Sequence, residues 1–174
     1  SLGLGDELLA LVESWPKDHF YYLDNYYPQY PQRVVLGLND PKLVVHHMRR
    51  LKLSLFDERF ARAWLAHTEF SALDDLADAV CAFEERAYAN EVMSALALVK
   101  APEAVGPVLR CALESQASMK AQEWLRLNPQ YEAIGLVPLA AGKTKLAALA
   151  EKRLKVAVGQ GRADEVKTAI ERFP

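Results

Sequence analysis

The segment 60-FARAWLAHTEF-70 returns sixty residues later as 120-KAQEWLRLNPQY-131, each carrying Ala-x-x-Trp-Leu and then an aromatic residue. Ala61, Trp64, Leu65 and Thr68 stand at i, i+3, i+4 and i+7, the spacing of one helix stripe, and Ala121, Trp124, Leu125 and Asn128 copy it. Ala72, Leu76 and Ala79-Val80 match Ala133, Val137 and Ala140-Ala141 after one inserted residue. Further on, 103-EAVGPVLRCAL-113 aligns with 164-DEVKTAIERF-173, setting Val105 over Val166 and Leu109 over Ile170. A decayed third copy lies upstream, 41-PKLVVHHM-48 over 102-PEAVGPVL-109. Self-similarity at a fixed period belongs to repeat proteins, where each unit buries its apolar face only against its neighbours. The chain therefore reads as a single helical-repeat domain over 1–174. Residues 1–55 form a divergent N-terminal cap and decayed repeat, followed by blocks at 56–115 and 116–174. In each block the Trp is expected to pack between layers, with the small Ala one turn earlier making room for the neighbouring helix.

Punctuation places helices inside the blocks. Asp40-Pro41 reads as an N-cap followed by Pro at the first helical position, and Asp57, Ser71 and Asn128-Pro129 read as similar starts. Gly142 and Gly159-x-Gly161 read as helix ends. About ten helices are expected, at 4–17, 18–27, 40–53, 56–67, 71–86, 88–99, 102–115, 117–127, 130–141, 143–159 and 162–173. The one β-like stretch, 33-RVVLGL-38, is too short and isolated to found a sheet. Abundant Ala and Leu with only eight Gly agree with an all-α chain.

Within this pattern, 95-ALALVKAPEAVGPVLRCALES-115 resembles a HEAT repeat: a helix of small and aliphatic residues leads through a Pro-containing turn to a second aliphatic helix. The Leu-Gly and Tyr signature of TPR repeats is missing, as is the ankyrin signature. The run 119-MKAQEWLRLNPQYEAIGLVPLAAGKTKLAALAEKRLKVAVGQGR-162 also resembles the helical repeat region of large bacterial proteins related to the molybdate metabolism regulator, which often carry a WGR domain. The resemblance rests on the Trp-Leu, Pro and Ala-Leu-Ala positions. It implies an α-solenoid of stacked antiparallel hairpins, HEAT-like or armadillo-type, within a larger bacterial regulatory protein, and it carries over no catalytic residues.

Motifs that would bring chemistry fail on spacing. The segment 141-AGKT-144 ends like a phosphate-binding loop, but the Gly required five residues before Gly142 is Val137, and a helix pattern rather than a strand leads in. His46 and His47 are adjacent, so on a helix they point about 100° apart and do not share an ion. His19 and His67 have no ligand partners at a repeating distance. Asp74-Asp75 and Glu84-Glu85 lie side by side rather than convergent, and no Gly-x-Ser-x-Gly elbow occurs. Cys81 and Cys111 sit among apolar residues and are expected to be buried, reduced thiols. No catalysis, cofactor or metal is expected.

Binding is the remaining reading. The stretch 19-HFYYLDNYYPQYPQ-32 concentrates Tyr21, Tyr22, Tyr26 and neighbouring aromatics, whose area and polar tips suit interfaces; capping of the first layer by Phe20, Leu23 and Tyr27 is the favoured role. Lys143, Lys145, Lys152, Arg153, Lys155 and Arg162, with Arg49, Arg50 and Lys52, make a basic set able to line a nucleic-acid groove. No aromatic interleaves with that run, and the net charge of −2 gives no general attraction to polyanions. A protein-binding scaffold is therefore expected, using exposed sides of 40–53, 102–115 and 162–173, with Arg49, Lys52, Arg110 and Glu114 as contacts. A nucleic-acid-binding repeat is the alternative. No apolar run approaches a membrane span and no leader is seen, so the cytoplasm is the expected compartment. A start at Ser1 rather than Met leads us to expect a fragment of a longer chain.

Overall fold

The computed structural model describes residues 4–17 and 31–173. Among them lie eleven α-helices, a single 3₁₀ turn and no strand. The predicted helix 18–27 lies outside the described residues, as do Tyr21, Tyr22, Tyr26 and the aromatics around them. The chain divides into two compact units, Ser1–Ala72 and Leu73–Pro174, and the division falls inside the 56–115 block.

The first unit holds α1 (Leu4–Glu13), α2 (Pro31–Val35), α3 (Pro41–Arg50) and α4 (Glu58–Thr68), each packed on the next. The β-like stretch has become α2 and the loop after it. Two starts follow the sequence signals: the Asp40 carboxylate accepts from the Lys42 amide with Pro41 at N1, and the Asp57 carboxylate accepts from the Phe60 amide. Each satisfies a donor that the first turn leaves orphaned. The end of α3 secures the end of α1, since the Arg50 guanidinium donates to the carbonyls of Trp15 at 2.8 Å and Val12 at 2.7 Å. Ser71 does not start a helix. Its hydroxyl donates back to the Thr68 carbonyl, closing the turn after α4, and the next helix begins at Leu73.

The second unit contains α5 (Leu73–Ala82), α6 (Arg86–Leu96), α7 (Val105–Glu114) entered through the 3₁₀ turn Pro102–Ala104, α8 (Ser118–Leu127), α9 (Pro129–Ala140), α10 (Lys145–Gly159) and α11 (Ala163–Arg172). Consecutive helices pair: α5 with α6, α7 with α8, α9 with α10. Beyond the pairs, α5 contacts α7, α7 contacts α9 and α9 contacts α11, while α6 contacts α8. The expected helix 71–86 stops at Ala82; no Gly or Pro marks the break, so apolar spacing alone runs through it. Val44, Val105 and Val166, equivalent in the three copies, are all buried. Leu109 is 1% exposed but Ile170, its counterpart, is 54% exposed, so the last copy leaves part of the repeated stripe uncovered. The innermost contacts of this end join Ala133, Ala157, Val166 and Ala169, with Ile134, Val137 and Leu154 packed around them.

Candidate binding groove

A close helix approach in the second unit depends on Gly135. A methyl group there would lie 2.5 Å from the Pro102 carbonyl oxygen and 2.5 Å from Val105 Cβ, so only glycine lets α9 settle onto the start of α7. Gly106 faces Leu139, which a Cβ would meet at 3.2 Å. Beside this contact opens a groove of about 470 Å³. Its walls are largely apolar: Pro102, Gly106 and Pro107 from the entry to α7, Ile134, Gly135, Pro138 and Leu139 from α9, then Leu146 and Phe173. Pro138 lies inside α9 and has no N–H, so the Ile134 carbonyl lacks its usual helical donor, and both residues line the groove.

Charge enters through Asp74, Glu103 and Arg110. Arg110 is anchored across to α5, where its Nη2 meets Asp78 Oδ1 at 2.5 Å and donates to the Asp74 carbonyl at 3.2 Å. Its buried Nε has no hydrogen-bond partner. The groove thus offers apolar pockets, an acidic rim and one fixed guanidinium.

The sequence-derived contact residues are distributed between the two units. Arg110 lines the groove, and Glu114 is exposed one turn further along α7. Arg49 and Lys52 belong to the first unit. Arg49 lines a separate cleft of about 680 Å³ with Lys42, His46 and Arg50, and no acidic side chain is found among the described residues lining it. Lys52 is exposed at φ 51°, in the left-handed turn that closes α3. The His46 and His47 rings meet edge to face with centroids 4.8 Å apart, and His47 Nδ1 accepts from Arg50 Nε at 3.1 Å.

The basic run around 143–162 is partly neutralised by a residue the sequence reading passed over. Glu132 is buried and held by two arginines: Arg153, through its Nε at 2.9 Å and also its Nη2, and Arg162, through Nη2 at 3.0 Å. Lys155 pairs with Glu151 at 2.6 Å. Arg126 and Lys152 line a cleft of about 740 Å³ beside the Glu132 cluster. The available signal was an acid one turn before Leu136 on a mostly apolar helix, a position where burial demands a partner. In 141-AGKT-144 the Thr144 hydroxyl accepts from the Ala147 amide and caps α10, and helices flank the loop on both sides. The expectation that both cysteines are buried needs correction. Cys111 is buried, but Cys81 is only half-buried, because the helix turns it about 100° away from buried Val80.

Comparison with protein-family models, with curated proteins and with solved structures returned no match. No helix among the described residues is long and apolar enough to cross a membrane.

Proposed function

We propose that the chain is a non-catalytic helical-repeat scaffold whose helix pairs stack as a short α-solenoid and bind another protein along the groove of α5, α7 and α9. The supporting observation is the run of contacts from α5 through α7 and α9 to α11, with an apolar groove cut into that row of helices. Stacked pairs bury their own apolar faces and leave the side chains of one row available to a ligand. The rim selects the partner: Asp74 and Glu103 favour a segment that brings aliphatic or aromatic anchors together with a Lys or Arg. The Ile134 carbonyl accepts one hydrogen bond from that segment. Two free thiols agree with a reducing compartment such as the cytoplasm.

Site-specific photo-crosslinking in the source cells tests this. A benzophenone side chain at Glu103 or Pro138 is expected to capture one and the same protein, and Glu103→Lys is expected to reduce that capture at least tenfold. The same group at Lys155, outside the groove, serves as control. Equal capture from Lys155, or none from either groove position, removes the reading. The cleft lined by Lys42, His46, Arg49 and Arg50 favours a second reading as a nucleic-acid-binding repeat. On that reading duplex DNA binds with an affinity that falls steeply with salt and is lost in Lys42→Glu; the scaffold reading expects no DNA binding at physiological salt.

A further inference from the structure

Two helix stripes line the cleft beside Glu132. On α8, Gln122, Leu125 and Arg126 stand at i, i+3 and i+4. On α10, Leu149, Lys152, Arg153 and Val156 stand at i, i+3, i+4 and i+7, so each stripe sets aliphatic side chains beside cations. Both helices pack on α9, which supplies Glu132 to the same cleft. The volume of about 740 Å³ is that of a site for a small organic molecule. No lining residue is shared with the groove of α5, α7 and α9.

Charge is unbalanced here, with Arg126, Lys152, Arg153 and Arg162 set against the one lining carboxylate. Two of the arginines divide that carboxylate. Arg153 takes Oε1 through Nε at 2.9 Å and through Nη2. Arg162 takes Oε2 at 3.0 Å and ties its Nη1 to the Pro129 carbonyl at 2.9 Å. Two guanidiniums are thereby fixed next to each other on a carboxylate that is 5% exposed. A further carboxylate, half-exposed Glu165, reaches Arg162 only at 3.9 Å. Among the described residues nothing accepts from Arg153 Nη1, and Arg126 and Lys152 form no ion pair or hydrogen bond.

The repeat shows that helix packing does not require this cluster. In the earlier copy Ser71, Glu91, Val92 and Ala101 stand where Glu132, Lys152, Arg153 and Arg162 stand here, and Val92 and Ala101 are buried. Apolar side chains do that packing without charge, and exchanging them for a buried ion cluster adds little net stability.

We propose that this cleft binds a small organic phosphate. Arg126, Lys152 and Arg153 take the phosphate, and Leu125, Leu149 and Val156 take the apolar body of the ligand. A guanidinium gives paired hydrogen bonds to phosphate oxygens, and a lysine adds a point charge. Glu132 is the positioning residue that holds Arg153 in place. The carboxylate inside the cleft and the limited volume suit one dianionic group rather than the row of phosphates in a nucleic acid.

Calorimetric titration of the full chain with phenyl phosphate, inorganic phosphate and phenol tests this. Phenyl phosphate is expected to bind one to one, roughly tenfold tighter than inorganic phosphate because its ring is buried, and phenol to give no heat. Arg126→Gln and Lys152→Gln, both at exposed positions, are each expected to weaken phenyl phosphate about tenfold while circular dichroism stays that of the wild type. Lys155→Gln, outside the cleft, is expected to leave binding unchanged. Glu132→Gln removes a negative charge, yet it is expected to weaken binding because the arginines lose their anchor. Tighter binding by a folded Glu132→Gln protein would overturn that positioning role. Absence of heat with phenyl phosphate, unchanged affinity in Arg126→Gln and Lys152→Gln, or inorganic phosphate binding as tightly overturns the site. Tighter binding of a hexaglutamate peptide than of phenyl phosphate also overturns it, in favour of an acidic protein segment.

Discussion

Trp64 and Trp124 occupy one position of a duplicated helix and end in different surroundings. What is local is shared. Both indoles are buried, Ala61 and Ala121 are fully buried one turn earlier, and the residue four positions on donates to the Trp carbonyl: Thr68 Oγ1 at 2.9 Å and Asn128 Nδ2 at 2.7 Å. What is distant differs. The Trp64 indole N–H donates forward to the Ala72 carbonyl at 3.0 Å, whereas that of Trp124 donates backward to Ala97, just past α6, at 3.2 Å. Tyr131 stacks on Trp124 with centroids 6.4 Å apart and the Lys100 ammonium lies over the ring at 5.5 Å, while Phe70, the counterpart of Tyr131, is 51% exposed. The inserted residue explains this. Asn128-Pro129 starts α9 at once and carries Tyr131 in its first turn; after α4 the chain leaves through Glu69 at φ 49° and Phe70 falls in a turn. A repeated stripe specifies a helix and its buried side, but the neighbours decide what the ring ties together.

The largest effect expected on this comparison is truncation of the rings. Trp124→Ala and Trp64→Ala should each cost roughly 3–5 kcal/mol in urea unfolding, Trp124 the more because stacking and the ammonium are lost as well. Hydrogen exchange separates the copies: Trp124→Ala should open amides at the end of α6 and in α8, Trp64→Ala those from α4 to Ala72. Identical exchange maps would erase the distinction.

Position 135 sharpens it next. Its counterpart in the earlier copy is Asp74, an exposed residue in the first turn of α5. Gly135→Ala should cost about 1–3 kcal/mol through overpacking against Pro102 and Val105, whereas Asp74→Ala should fall well below that. Equal costs at both sites would mean that α9 does not depend on its glycine.

These pairs also show where legibility ends. Helix stripes, the Asp40 and Asp57 caps and the buried Val44, Val105 and Val166 could be read in the sequence because they depend on residues within a turn or two. Asn128 marked the start of α9 as expected, yet its side chain bonds backward to Trp124, a choice made by which orphan group lies nearest. The groove was only half visible: Arg110 stood out as an exposed charge on a helix, but its partners on α5 and the close approach at Gly135 are contacts between residues some thirty positions apart. The half-exposure of Cys81 is of the same kind, since it reports what covers α5 rather than what α5 is made of.

Two helix ends provide a smaller test. After α10 the Arg162 amide donates to Ala157 and that of Gly161 to Val158, with Gly161 at φ 84°. After α3 the Leu53 amide donates to Met48 and that of Lys52 to Arg49, with Lys52 at φ 51°. Both are Schellman closures, one with the residue suited to a left-handed backbone and one without. Lys52→Gly should therefore stabilise by about 1 kcal/mol and Gly161→Ala destabilise by about as much. A stabilising Gly161→Ala would show that backbone strain is not what separates the two ends.

The smallest expected effect concerns His47, which stands where the next copy has the buried Val108. Burial, then the charge of Arg50 and the neighbouring His46, lower its pKa against the pull of Glu13, and its buried Nε2 has no hydrogen-bond partner. In the unfolded chain the imidazole takes a proton near its ordinary 6.5, and in the folded chain only at lower pH. Between those values the unfolded state binds more protons, so folding is favoured above pH 6.5 and loses stability as pH falls below it. Asp57 does not interfere in this window. Burial works against its charge, but the Phe60 amide and Arg59 outweigh it and hold its pKa below 3.8, so its contribution is lost only in stronger acid. Thermal midpoints of the wild type should accordingly drop between pH 7.5 and 5, and His47→Val, which imports the residue of the neighbouring copy, should flatten that drop while Arg50 keeps its bonds to the Val12 and Trp15 carbonyls. An equal fall in both proteins would place the acid sensitivity elsewhere and leave the substitution of histidine for valine without a physical consequence in this range.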